Sequence, residues 1–156
     1  MYLNKEDFLK VVEATPFVSI DLIVRNEMGQ VLLGYRLNRP AQNHWFVPGG
    51  RIRKNERTQD ALQRIARAEL HIDAVPGKLL GIFDHFYDDN FYGVPGIGTH
   101  YVACAYQFQV QGDTRFIQDA QHTEMKWWDM DALLASAEVH PNTKLYFRDV
   151  PDNGLR

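Results

Sequence analysis

With 156 residues, 45% of them hydrophobic and 24% charged, the chain has the size and balance of a single globular domain, residues 1–156, with a core of its own. No apolar run approaches the roughly 20 residues needed to cross a bilayer, and a net charge of -3 gives no general pull toward nucleic acid. Neither membrane nor nucleic acid is an expected partner. The single cysteine, Cys104, excludes an internal disulfide framework and a cysteine-based zinc cluster, and within "YVACAYQFQV" it reads as a buried structural thiol.

The N-terminal "MYLNKEDFLKVVEAT" carries acids and lacks the basic start and apolar middle of a signal peptide, so a cytoplasmic protein is expected. A short helix is predicted over 4–13. It precedes "TPFVSIDLIVRNEMGQVLLGYRL", which reads as two strands around a turn at 26–29. Val18, Ile20, Leu22 and Val24 alternate with Ser19, Asp21 and Ile23, predicting a half-buried strand with Asp21 on the other face. "HWFVPGG" reads as a short strand stopped by Pro48 and two glycines, and an amphipathic helix follows over about 57–70. "KLLGIFDHFYDD", "GTHYVACAYQFQV" and "EMKWWDM" are predicted strands, and "MDALLAS" and "NTKLYFRD" short helices. Strands on both sides of a long central helix imply an α/β (α+β) fold, a mixed β-sheet sandwiched between helices.

Two features of the middle of the chain point to chemistry. From Arg36 to Arg57 there are six bases against the single acid Glu56, a local balance of +5 in an acidic chain. This suggests a small anionic ligand. On the central helix, Glu69 falls within the stripe of Leu62, Ile65 and Ala66, which places a carboxylate among apolar neighbours.

The stretch "VPGGRIRKNERTQDALQRIARAELHI" resembles the signature of the Nudix hydrolases, G-x5-E-x7-R-E-U-x-E-E-x-G-U, where U is bulky and apolar. Gly50, Glu56, Arg64, Glu69 and Ile72 match in register, whereas Ile65, Ala66, Ala68 and His71 do not. The preceding "WFVPGG" is similar to the entrance common in that family. These losses, with "TPFVSIDLIV", "NRPAQNHWFVPGGRI", "AELHI", "HFYDDNF", "THYV", "DAQHTEMKWW" and "DALLAS", resemble the GDP-mannose mannosyl hydrolases, a subgroup that cuts the sugar C1 to oxygen bond instead of the diphosphate.

The resemblance implies a Nudix fold and specific roles. The Gly49 carbonyl, Glu69 and the Gln121 side chain would hold one Mg²⁺ per subunit, with Mn²⁺ as a substitute, and His122 would be the general base for the attacking water. Arg36 would stabilise the departing GDP, with Arg51 and Tyr101 on the diphosphate and Asp21 and His85 near the sugar. It also implies a homodimer. The chemistry is coherent, because GDP is a good leaving group whose charge calls for a cation and basic side chains in place of a proton donor. A histidine has a suitable reference pKa, about 6.5, for a base near neutrality.

Each residue also has a plainer reading. Glu69 as a helix-end acid turned to solvent, His122 as an exposed loop residue, Asp21 as an outward-facing acid and His85 as a core histidine are the competitors. Arg36 and Arg51 compete with solvated surface charges, as which Arg39, Arg53 and Arg57 are read. Arg64 is read as structural, paired with Asp60 or bracing the loop at Glu56. Phe86, Tyr87 and Phe91 are read as packing or subunit contact, and His44, His100 and His140 show no metal-ligand spacing. A diphosphohydrolase attacking phosphorus and a non-catalytic sugar-nucleotide sensor are the alternative functions.

Overall fold

The computed structural model describes residues 2–73, 75–112, 114 and 122–148, with the backbone alone for His122 and Thr123. Chain order is α1 (Lys5–Ala14), β1 (Phe17–Arg25), β2 (Val31–Arg36), β3 (Trp45–Phe46), β4 (Gly49–Arg51), α2 (Thr58–Leu70), β5 (Lys78–Tyr87), β6 (Thr99–Gln109), β7 (His122–Trp128), α3 (Met130–Ala135) and α4 (Pro141–Lys144). The described strands form a mixed sheet in the order β3-β2-β1-β6-β5, with β4 added to β1 and β7 to β2. Its centre is the parallel pair β1 and β6, in register from Phe17 opposite Tyr101 to Arg25 opposite Gln109. Parallel strands need covered faces. One cluster, with Ile20, Leu22, Val24, Leu62, Ile65 and Leu70, packs α2 on one face, and a second, with Ile23, Leu33, Trp45, Phe46, Leu133 and Tyr146, covers the other.

This cover alters the expectation for β1. The strand is buried on both faces: Ile20 and Leu22 are fully inside, and so are Ile23, at 0%, and Asp21, at 6% exposure. Alternation reports which face a residue takes, but exposure depends on what the fold lays over that face. Val18, expected among the buried set, is instead exposed because it lies near the open start of the strand.

The glycines after Pro48 also differ from expectation. They do not end the pairing; they open β4, with Gly49 opposite Asp21 and Gly50 opposite Ile20. Pro48 lacks an N–H, yet its carbonyl accepts from the Leu22 N–H at 2.8 Å. A Cβ on Gly49 would fall 2.6 Å from both the Ile20 carbonyl oxygen and Asp21 Oδ1, and one on Gly50 would fall 3.2 Å from Ile65 Cγ1. Close approach to β1 on one side and α2 on the other therefore requires bare backbone at Gly49.

Candidate active site

On the α2 face, the helix begins after a loop that is fixed by charge. Arg64 donates from Nε to Glu56 Oε2 at 2.7 Å and from Nη2 to Glu56 Oε1 at 2.9 Å, and Nη2 also reaches the Arg51 carbonyl at 2.8 Å. Arg64 thus braces the loop at Glu56, and no pair with Asp60 is among the ion pairs of the described residues. Hydrogen bonding from Arg64 lowers the Glu56 pKa to about 2. The brace ties the end of β4 to α2, and with it the glycines to the helix. The helix closes at His71, which takes the left-handed conformation, φ 56°, at the position the signature gives to glycine.

Three positions on this helix settle where carboxylates stand. Ile65 is 2% exposed and packed in the core, and Ala68 is at the surface. Glu69 is half-buried, with Oε2 shut off from solvent. It follows Ile65, which lies against Gly50, by one helical turn. A carboxylate and backbone carbonyls are hard oxygen donors of the kind Mg²⁺ takes. Among the described residues no three His, Cys, Asp or Glu side chains form a metal-holding group. Glu69 would therefore act with carbonyl and amide oxygens, a donor set that fits a partly hydrated Mg²⁺. Gln121 lies outside the described residues.

On the opposite face the central acid is Asp21. Its Oδ2 accepts a hydrogen bond from the Tyr146 hydroxyl and stands 4.0 Å from His85 Nδ1. Burial raises its pKa to about 6, against the lowering effects of the Tyr146 hydrogen bond and of Arg36. His85, 1% exposed, is held neutral: burial lowers its pKa to about 4, helped by His140. Its ring lies 5.3 Å from that of Tyr146 and 5.9 Å from that of Phe46. His85 is therefore a buried neutral ring packed beside Asp21. Asp21 and His85, 64 residues apart in numbering, are brought together as expected.

The two arginines expected on the diphosphate share an electrostatic neighbourhood. Arg51 and Arg36 both lower the pKa of Tyr101, whose phenol is raised chiefly by burial. Arg36 spends Nε on the Pro40 carbonyl, at 3.1 Å. The Arg51 guanidinium lies over Phe17, 4.6 Å from the ring centroid, and is 5.4 Å from that of Phe8. Stacking orients the guanidinium plane while leaving its edge donors available. Among the described residues neither arginine has a carboxylate at ion-pair distance. This is an arrangement able to receive an anion in bidentate fashion. His122 opens β7 with its backbone opposite Arg36; its side chain lies outside the described atoms.

Four further residues join this region without having been singled out for it from the sequence. Tyr146 contacts Asp21 directly, and Tyr87, half-buried, has its ring 6.2 Å from Tyr101 and 5.2 Å from His140. His140 is held neutral, with a pKa near 4, by burial and by nearby His44 and Arg36. Phe17 supports both Arg51 and Tyr101. Tyr87 is the exception among the aromatics of its stretch, since Phe86 and Phe91 remain exposed. The sequence carried little signal for Tyr146, which is 125 residues from Asp21. Cys104 is only half-buried.

Comparison with known proteins agrees with this geometry. The family model for the NUDIX domain matches residues 15–149. The low-salt glycan biosynthesis protein Agl8 of Haloferax volcanii is 43% identical over 122 residues, spanning 78% of this chain and 76% of that protein. Among solved structures, the MutT NUDIX hydrolase from Burkholderia pseudomallei superposes with a TM-score of 0.68 at 26% identity, covering 85% of this chain and 95% of that one. The NUDIX domain of Shewanella oneidensis NrtR, complexed with ADP ribose, gives 0.64 at 18% identity, covering 92% and 95%, a likeness of fold.

Proposed function

The chain belongs to the NUDIX domain family, hydrolases of nucleotide derivatives that generally use a divalent metal, and from that premise we propose that it hydrolyses GDP-mannose, and also GDP-glucose, to GDP and the free sugar. The observation that carries this reading is the poverty of carboxylates on α2. Of the helix positions where the Nudix signature has them, Ile65 is core, Ala68 is a surface alanine and Glu69 alone retains the acid. Attack at phosphorus with several metals calls for more ligands than this helix offers. Attack at carbon asks chiefly for stabilisation of a departing diphosphate. The glycan biosynthesis role in the name of the Haloferax relative supports a sugar-nucleotide substrate.

In this mechanism Glu69, the Gly49 carbonyl and Gln121 would hold one Mg²⁺, for which Mn²⁺ would substitute. The ion supplies Lewis-acid stabilisation of the leaving GDP. Arg36 and Arg51, which among the described residues have no carboxylate at ion-pair distance, receive the diphosphate charge together with Tyr101. Asp21, backed by His85, orients the sugar. His122 takes the proton from water, which attacks C1 from the face opposite GDP and inverts the anomeric centre. The working unit is one domain spanning residues 1–156, assembled as a homodimer.

The test is turnover of GDP-mannose with Mg²⁺ in ¹⁸O-labelled water. Label on mannose C1 is the expected result. Label on phosphate, with a nucleoside monophosphate and a sugar phosphate as products, identifies a diphosphohydrolase instead. Absence of turnover with retained GDP-mannose binding identifies a sensor.

A further inference from the structure

We propose that Tyr146 is a positioning residue, holding the Asp21 carboxylate in its working orientation at the sugar; this rests on the reading of Asp21 given above. The Tyr146 hydroxyl donates to Asp21 Oδ2, and both residues are buried, at 7% and 6% exposure. The other oxygen, Oδ1, faces the bare backbone of Gly49, only 2.6 Å from where a Cβ would stand. The carboxylate is therefore confined on both oxygens, by the phenol on one side and β4 on the other. Rotation about its last bond would remove the hydrogen bond and leave a buried phenol without its acceptor, which is unfavourable.

The phenol is a dependable donor. Burial and the charge of Asp21 push its pKa far above the ordinary tyrosine value, so it stays protonated. Its ring is fixed edge-on to Phe83, with centroids 4.7 Å apart and planes at 85°, and packs against His85. The segment carrying it is sewn to the sheet. Trp45 N–H donates to the Glu138 carbonyl at 2.8 Å, His140 N–H donates to the Trp45 carbonyl at 3.1 Å, and Asn142 Nδ2 donates to the Phe86 carbonyl at 3.4 Å. These bonds carry the rigidity of β3 and β5 to Tyr146, and through Tyr146 to Asp21. A reacting constellation needs side chains held within about 0.5 Å of the productive geometry by such supporting contacts.

The test compares Tyr146→Phe, Asp21→Asn and the double variant in GDP-mannose turnover, with a structural readout beside it. Phenylalanine keeps the ring contacts, so the thermal midpoint checks that the fold is retained. Expected for Tyr146→Phe is a fall in kcat of about 10- to 100-fold with KM changed less than about twofold. The double variant should be no slower than Asp21→Asn, as befits residues acting as one unit. The ¹³C resonance of the Asp21 carboxyl, recorded without substrate or metal, should move in Tyr146→Phe. An unmoved resonance, a wild-type kcat, or independent losses that multiply in the double variant would overturn the proposal. If Asp21→Asn alone leaves turnover intact while the resonance moves, it is the role of Asp21 that fails, and Tyr146 positions a carboxylate outside the reaction.

Discussion

The two faces of the sheet handle charge in opposite ways. On the α2 face, Glu56 and Arg64 meet in a two-pronged ion pair near the surface, and Glu56 is an easy anion with a pKa near 2. On the opposite face, Asp21 is sealed among neutral partners, Tyr146 and His85, with its pKa raised to about 6. The first arrangement stabilises the fold and fixes a loop. The second keeps a carboxylate where burial opposes its charge, which is costly for folding. A bracing pair and a buried acid are thus distinguished by what surrounds them.

This contrast can be broken by substitution, starting where the effect is largest. Glu69→Gln removes the carboxylate that remains at the signature positions of α2 and should lower Mg²⁺-dependent turnover by about 10³-fold, several kcal/mol of transition-state stabilisation, in steady-state assays across a Mg²⁺ titration. Ile65→Glu restores an acid at its place in the signature but forces it into a position 2% exposed. A loss of about 3–5 kcal/mol in urea unfolding is expected; unchanged stability would show that this turn of α2 can open to solvent.

Asp21→Asn should reduce turnover yet stabilise the fold. The folded pKa of Asp21 is raised, so its contribution to stability is fully present below the ordinary value of 3.8 and is lost as pH rises through about 6. The variant should gain about 3 kcal/mol over the parent at pH 8 and almost nothing at pH 4, measured by thermal unfolding in chelator. Glu56→Gln should show the reverse sign. The folded pKa of Glu56 is lowered, so its contribution is present above 4.5 and lost as pH falls toward 2. The variant should be less stable by about 1–2 kcal/mol at pH 7, with the difference closing in acid. The smallest effect is at the end of α2, where His71→Gly relieves a left-handed residue, φ 56°, and should stabilise by about 0.5–1 kcal/mol in the same unfolding assay.

Legibility followed the same division. The α2 region was readable because its parts lie within one helix and the loop before it, so that Gly50, Glu56, Arg64 and Glu69 could be matched in register to the Nudix signature they resemble. The longer strands were legible from their apolar patterning, whereas β4 was hidden because its glycines read as a stop. The burial of Asp21 was not, since one strand cannot tell whether its second face will be covered. Nor was the choice of Glu56 over Asp60 by Arg64, because both lie within reach in sequence and loop geometry decides between them.

The sequence by itself determined the family and, at the signature's carboxylate positions on α2, the one acid that remains, Glu69, both of which depend on local spacing. Tertiary structure alone decided that Asp21 would be buried, that His85 would stand neutral beside it, and that Tyr146, 125 residues away, would hold one of its oxygens. Such contacts arise when β1, β5 and the segment after α4 are packed on one face. A pKa or a hydrogen bond at that point belongs to the assembled environment, which no one of those segments contains.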